Sequence, residues 1–155
     1  MDWFVNYVLP VLITVISGVL VYMSGELLNT IWLRPLQEYK IIKSSIAKNL
    51  VFYANVYTNT SDGMIENEEW KKLRSDASDK LRWLAAELDG FIQTLSFIKI
   101  GIPKKVALKK GSGLLIFLSN SMYDPNRFNQ GKENRDVANE IRGLLKILLK
   151  VLIMK

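Results

Sequence analysis

The sequence predicts an all-α protein, with one N-terminal transmembrane helix followed by a cytoplasmic bundle of about four helices. First, residues 3–25 carry no charge. Second, apolar residues downstream recur at intervals of three and four, which is typical of helices with one buried face. Third, all 21 Lys and Arg residues lie at position 34 or beyond, so an apolar start is followed by a basic remainder.

The uncharged run is long enough to cross a membrane. Its 23 residues, at about 1.5 Å each, exceed a hydrocarbon core about 30 Å thick, and a lone segment can cross only as a helix. No basic region precedes the run and no small-residue cleavage site follows it. We therefore expect a retained anchor at residues 1–33 and one domain at residues 34–155. The positive-inside rule places the N-terminus outside and the domain in the cytoplasm.

The residues of this run are sorted by size and polarity around the helix, at about 100° per residue. One side carries a polar stripe, which Asn29 extends, made of Asn6, Pro10, Thr14, Ser17, Gly18, Ser24 and Gly25. Small residues let helices approach closely, and hydroxyls can hydrogen-bond across the contact. The stripe is interpreted as a packing seam with another copy or an unrelated membrane protein, or as the lining of a narrow pore in a higher oligomer. Chance sorting is the third interpretation.

The remainder of the chain is predicted to form four helices. Arg34-Pro35 indicates a bend or a new helix start, because proline disfavours helix in the residue before it. The first of the four helices runs from Leu36 to about residue 57, and residues 58–63 form a polar loop. Its predicted buried positions are Ile42, Ile46, Val51 or Leu50, Ala54 and Tyr57.

The second helix opens with acidic side chains, which complement the helix dipole. They are Glu66, Glu68 and Glu69. Its apolar positions alternate in steps of three and four, which is typical of a long bundle helix. They are Trp70, Leu73, Ala77, Leu81, Leu84, Leu88, Phe91 and Leu95.

The third helix follows a connector at residues 98–103. It runs from Lys104 to about residue 122 with Pro103 at its start, where proline is favoured. Gly111 and Gly113 weaken it by about 1 kcal/mol each relative to alanine. The Leu-Ser-Asn-Ser segment at residues 118–121 is predicted to be a capping or helix-contact feature.

The last helix is predicted to run from Arg135 to about residue 154, after a loop at residues 123–134. Asn134 is its expected N-cap, since asparagine side chains accept from exposed backbone N–H groups there. Its apolar face is expected at Ile141, Leu144, Leu145, Leu148 and Leu152. Four helices with short connections favour a four-helix arrangement.

The composition argues against an enzyme. The chain has no Cys and no His, which excludes Ser-His and Cys-His nucleophile arrangements and thiolate metal sites. No carboxylate cluster has metal-ligand spacing on an apolar background. We expect no catalytic residues, no metal and no cofactor.

One basic region is a candidate ligand site. It contains Lys99, Lys104, Lys105, Lys109 and Lys110, with no acidic residue between Asp89 and Asp124. A helix start with unpaired N–H groups and lysines suits a phosphate group, so this region is a candidate nucleotide or oligonucleotide site. Bilayer contact or plain solubility explains the same lysines, since basic surfaces are attracted to anionic headgroups. Antiparallel third and fourth helices would add Arg127, Lys132 and Arg135.

Several short motifs carry a resemblance over nearly the whole chain. They are Trp-Leu-Arg-Pro-Leu-Gln-Glu-Tyr at residues 32–39, Leu-Ala-Ala-Glu-Leu at 84–88, the Leu-Ser-Asn-Ser segment, and a terminal Ile-Arg-x-Leu-Leu-Lys-Ile. The chain resembles small bacterial single-pass membrane proteins without assigned activity. Its layout is similar to membrane effectors of anti-phage systems, in particular Hailong-type channel effectors, which DNA oligomers from a companion nucleotidyltransferase hold shut. No family motif assigns ligand residues here.

The resemblance and the polar stripe together lead to a functional hypothesis. We expect a homo-oligomeric pore former of the bacterial inner membrane, with a tetramer favoured, gated by its cytoplasmic domain and used in abortive infection. Its expected partners are other copies of itself, membrane lipid, an anionic nucleotide or single-stranded oligonucleotide, and a companion signalling enzyme. The alternative is a membrane-tethered helical module that recruits a soluble protein.

Overall fold

The computed structural model describes residues 3–59, 68–95, 100–123 and 130–147. These residues are almost entirely helical and include no strand, which confirms the predicted all-α fold. Two π-helical turns span Phe4–Val8 and Asn29–Leu33. The α-helices are α1 (Leu9–Leu28), α2 (Arg34–Phe52), α3 (Ala54–Thr58), α4 (Glu68–Thr94), α5 (Lys105–Ser121) and α6 (Gln130–Leu144).

The first helix is continuous from Phe4 to Phe52. Its N-terminal part is long and apolar enough to span a membrane, with a window of mean hydropathy 2.2 that makes no buried contact within the chain. Of the two interpretations of Arg34-Pro35, a bend or a new helix start, the new helix start is wrong, because Leu33 and Arg34 both have helical dihedrals. The apolar segment and α2 therefore form one rod.

Each proline in this rod follows a widened turn. Leu9 N–H donates to the carbonyl of Phe4 ahead of Pro10, and Arg34 N–H donates to that of Asn29 ahead of Pro35. A proline ring clashes with the carbonyl four residues earlier and offers no N–H. Donating five residues back relieves that conflict locally, so the helix passes each proline without ending.

The bundle has an up-and-down topology, in which α2 and α5 run away from α1 while α4 and α6 return towards it. At the near end, beside α1, the Tyr39 ring stacks on Phe91 at 5.9 Å, and its hydroxyl donates to the Leu145 carbonyl at 2.6 Å. At the far end, Asn134 Nδ2 donates to the Tyr57 carbonyl at 2.8 Å. These contacts join the starts and ends of the helices as an antiparallel bundle requires.

The predicted apolar faces of α2 and α4 form much of the core. Along α4, the buried positions are Ala77, Leu81, Leu84, Leu88 and Phe91, and Leu95 is buried directly after the helix ends. Trp70 is half-buried and packs against the core, whereas Leu73 is 37% exposed and lies on the surface. In α2 the core position is Leu50 rather than Val51, which is 61% exposed. The backbone leaves the helix at Tyr53, so the predicted helix is divided into α2 and α3.

Buried hydroxyls fix the contact between α4 and α5. Ser78 and Ser119 hydroxyl oxygens lie 2.7 Å apart, and Ser119 also reaches the Ser78 carbonyl. Two turns before Ser119 in α5, Ser112 donates to the Ala85 carbonyl of α4 at 3.1 Å. Arg82 donates to Asn120 at the surface of the same contact. The Leu-Ser-Asn-Ser segment is therefore a helix-contact feature, as one of its two interpretations predicted.

The expected start of the last helix is wrong. Helix α6 begins at Gln130, so Asn134 is a buried residue within it rather than its N-cap. Its amide bonds to the carbonyl of Tyr57 instead. A capping asparagine accepts through its side-chain oxygen, whereas the Asn134 amide donates to a distant carbonyl, so this residue joins α6 to α3 instead.

The end of α6 is also earlier than the sequence predicts. Lys146 has φ 52°, and the N–H groups of Lys146 and Ile147 donate to the carbonyls of Gly143 and Arg142. These two bonds form a Schellman motif, in which the chain turns out of the helix. Residues 148–154 of the predicted helix, with Leu148 and Leu152 of its expected apolar face, lie outside the described residues.

Replacing Lys146 by glycine should stabilise the bundle. A left-handed conformation costs a non-glycine residue about 1 kcal/mol, and glycine removes that cost. Thermal unfolding of Lys146→Gly in detergent, followed by circular dichroism, should occur at a higher temperature than in the wild type. Asp136→Gly is the control, because residue 136 is exposed within α6 and glycine there should cost about 1 kcal/mol. Equal melting of Lys146→Gly and the control would contradict the observed helix end.

Candidate functional site

The polar stripe lies on a part of the rod that no other described helix covers. Asn6, Thr14, Ser17 and Ser24 are exposed, and Asn29 is half-buried. A methyl group added at Gly18 or Gly25 would meet nothing within 4 Å. The stripe is therefore available to a partner outside the chain.

Two hydroxyls of the stripe are hydrogen-bonded within the rod. Thr14 Oγ1 donates to the Pro10 carbonyl at 2.8 Å, and Ser24 Oγ donates to the Leu20 carbonyl at 2.7 Å. Hydroxyls that bond to their own helix carry no unsatisfied donor into an apolar environment. Thr14 and Ser24 can thus sit in a tight helix seam or face water.

An ion pair marks the C-terminal end of the apolar segment. Arg34 Nη2 lies 3.0 Å from Glu26 Oε1, and Thr30 Oγ1 donates to the same oxygen at 3.3 Å. The sequence reasoning assigned Glu26 to the anchor without a partner. The sequence spacing predicts this contact. Residues four apart are neighbours on a helix, and Glu26, Thr30 and Arg34 follow one another at intervals of four.

A connector joins the near end of the bundle to the rod. Trp32 Nε1 donates to the Ile100 carbonyl at 3.3 Å. Gly101 has φ +83°, and a Cβ atom there would lie 3.1 Å from Leu36 Cδ1. Only glycine combines that dihedral with so close an approach at low cost. Trp32 thus holds the connector against the helix that leaves the apolar segment.

The predicted lysine site is spread around α5. Lys105 and Lys109 line a shallow groove of about 570 Å³ between α4 and α5, together with Asp89, Gly90 and Gln93. Because Asp89 shares this groove, it is not purely basic. Lys104 is exposed at the residue before α5, and its side chain does not cap the helix.

The other predicted basic residues lie elsewhere. Lys110 forms an ion pair with Glu140 of α6 at 2.5 Å. Helices α5 and α6 are antiparallel neighbours, but Lys132 and Arg135 lie near the start of α6, at the far end of the bundle and away from Lys104 and Lys105. Lys99 and Arg127 fall outside the described residues.

A buried polar cluster lies between α2, α3 and α6. Tyr57 donates its hydroxyl to the Leu50 carbonyl at 2.5 Å, and Arg142 reaches the same carbonyl at 3.5 Å. Burial raises the pKa of Tyr57 above its ordinary value, and the positive charges of Arg142 and Arg135 offset part of that rise. These hydrogen bonds bring a side chain of α3 and a side chain of α6 to the same carbonyl of α2, so the cluster holds the three helices together.

The described residues offer no metal site, since no group of three Asp or Glu side chains comes together among them. No family model, curated protein or solved structure matches this chain. The features of the described residues that bear on function are the rod, its stripe and the lysines at the near end of the bundle.

The hydroxyl of Tyr57 should contribute stability that is lost in alkali. The folded state keeps this tyrosine neutral, whereas the unfolded chain ionises it at about pH 10. Its contribution is complete below about pH 10 and falls as the pH rises through the raised folded-state pKa. Tyr57→Phe should cost about 1 to 2 kcal/mol at neutral pH and should weaken the alkaline loss of stability. Urea unfolding at neutral and alkaline pH measures both effects.

Tyr123→Phe is the matched control, because Tyr123 is 50% exposed. It should leave stability almost unchanged at neutral pH. If Tyr57→Phe and Tyr123→Phe unfold alike at both pH values, the buried hydrogen bond makes no contribution.

Proposed function

We propose that this chain is a single-pass membrane protein that acts as a homo-oligomeric pore former, with the helical bundle controlling the position of the membrane helix. The observation that carries the proposal is the unbroken helix from Phe4 to Phe52. Its first part is exposed and apolar, and its last part is a core element of the bundle. One rigid body therefore joins the proposed pore helix to the proposed sensor.

The coupling depends on how firmly the bundle holds α2. Tyr39, Ile42, Ile46 and Leu50 are each at most 3% exposed and pack into the common core. Pulling these side chains out of the core would expose apolar surface at about 25 cal/mol per Å². A rotation or tilt of the bundle is therefore transmitted along α2 to the stripe.

The chemistry of the exposed segment supports self-association. Its aliphatic side suits lipid tails, whereas Gly18 and Gly25 leave room for a neighbouring helix to approach. Two copies would close a seam over the stripe. A ring of four or more copies would turn the stripe towards a lumen, so the number of copies decides between a tether and a channel.

The direction of insertion is proposed from charge. The domain after residue 33 holds all 21 basic residues against 13 acidic ones. The positive-inside rule supports a cytoplasmic domain, because residues 1–33 carry no Lys or Arg whereas Arg34, Lys40, Lys43 and Lys48 follow the apolar segment closely. A role in abortive infection, with a nucleotide signal, rests on the resemblance in layout to anti-phage effectors alone. Depolarisation of the cell would be the output.

Exposed aromatic residues favour the second candidate, a tether that recruits a soluble protein. Phe52 is 70% exposed and Trp83 is 54% exposed, both on the bundle. Aromatic side chains are enriched where proteins bind each other. This candidate needs a membrane anchor but no conductance, so membrane potential distinguishes the two.

Changing the stripe should abolish both assembly and conductance. In Ser17→Leu/Gly18→Leu, the added side chains fill the space that lets two helices approach. We expect monomers in detergent by light scattering, and cells that keep their membrane potential when the variant is overexpressed. Wild-type protein should form a ring of four or more and depolarise cells, as reported by a voltage-sensitive dye.

Ile16→Val/Leu20→Ile is the control, because it changes the aliphatic side while leaving the stripe intact. It should assemble and conduct as the wild type does. A wild-type dimer that never depolarises cells would overturn the pore proposal and favour the tether. Identical assembly of the two double variants would remove the role given to the stripe.

A further inference from the structure

The near end of the bundle exposes two aliphatic side chains that its other helices leave uncovered. Ile100 is 63% exposed and Val106 is 80% exposed. The two apolar residues between them are covered, since Ile102 is 8% exposed and Pro103 is also buried. Ile100 in the connector and Val106 in α5 are thus exposed on either side of a buried pair.

The position of this surface follows from two contacts to the rod. The Trp32 indole donates to the Ile100 carbonyl, and Leu36 packs against Gly101. Ile100 therefore lies level with the residues where the apolar segment ends. Val106 belongs to the first turn of α5, which starts at the same end of the bundle.

Several basic side chains lie at the same end of the bundle as the two aliphatic ones. Lys104 and Lys105 lie between them in sequence and are both exposed. On the neighbouring elements, Lys40 and Lys43 border a groove with Ile147, directly after Lys146 at the end of α6. Two carboxylates also lie at this end, Glu38 on α2 and Asp89 in the groove of Lys105.

We propose that this near-end surface, formed by Ile100, Lys104, Lys105 and Val106, binds the headgroup region of an anionic bilayer. The proposal rests on the membrane insertion in the proposed function. Ile100 and Val106 enter the boundary between headgroups and acyl chains, and Lys104 and Lys105 contact lipid phosphates. Exposed aliphatic groups beside lysines are the pattern by which proteins lie on a membrane surface.

This arrangement gives the lysines a role that a free phosphate site would not explain. A phosphate group makes no favourable contact with exposed aliphatic side chains, whereas the acyl chains of a bilayer do. Attraction of a basic residue to an anionic surface is worth about 1 kcal/mol per charge. Lipid charge would therefore set how closely the bundle is drawn to the membrane and, through α2, the tilt of the rod.

The test uses the full chain, which has no native Cys. Three separate variants each carry one introduced cysteine, to which a spin label is attached: Val19→Cys in the apolar segment, Val106→Cys at the near end and Tyr123→Cys at the far end. Each is reconstituted in nanodiscs of phosphatidylcholine alone or with phosphatidylglycerol. Collisions with oxygen report an apolar environment, and collisions with a polar nickel chelate report water.

We expect the label at 106 to favour oxygen when phosphatidylglycerol is present, and the label at 123 to favour the nickel chelate in both lipids. Lys104→Gln and Lys105→Gln should each lower the ratio of lipid-contacting to free label at 106 roughly fivefold, which corresponds to about 1 kcal/mol per charge. Raising the salt concentration should lower it further.

Three outcomes would overturn the proposal. The label at 106 could behave as the label at 123 does in both lipids, or it could ignore the two lysine substitutions. It could instead be immobilised by a short single-stranded oligonucleotide and not by phosphatidylglycerol, which would make the surface a nucleic-acid site. The label at 19 separates this failure from failure of the proposed function, because it reports insertion of the rod whatever the bundle contacts.

Discussion

Two prolines interrupt the hydrogen-bond ladder of the first helix, and the chain keeps that helix continuous by widening the turn before each of them. Had Pro35 ended the helix, the apolar segment and the bundle would be joined by a hinge, and neither could impose an orientation on the other. Because Arg34 donates five residues back, the ladder resumes at once. The placement of Trp32, the connector and the near-end surface all depends on this continuity.

The parts of the fold that sequence predicts well are those set by local periodicity. The face of α4 is an example, since residues from Ala77 to Leu95 repeat at helical spacing and no other element is needed to identify it. The start of α5 after Pro103 is another. The errors fall where a distant partner decides. Asn134 resembles a cap until the carbonyl of Tyr57 is known to accept its amide, and the left-handed Lys146 has no local sequence signal.

The candidate sites divide in the same way. The length of the uncharged run and the arrangement of its polar residues on one side suffice to predict the stripe. The structure adds that the Thr14 and Ser24 hydroxyls donate to carbonyls of their own helix. The lysines look like one cluster in the sequence because they are close in number. In the helix, Lys109 and Lys110 point about 100° apart, and Asp89 and Glu140 approach them from different helices. Closeness in sequence therefore predicted a tighter lysine cluster than the structure contains. It also gave no sign that Ile100 and Val106 are exposed beside these lysines.

The ion pair between Glu26 and Arg34 also limits how far the rod can move through the bilayer. In the proposed arrangement it lies where hydrocarbon gives way to headgroups. Sliding the rod outward by one turn, about 5.4 Å, would draw a carboxylate and a guanidinium into hydrocarbon, and the cost of removing both charges from water would oppose the movement. The pair thus acts as a depth stop. It permits the rod to rotate and tilt, and it resists motion along the membrane normal.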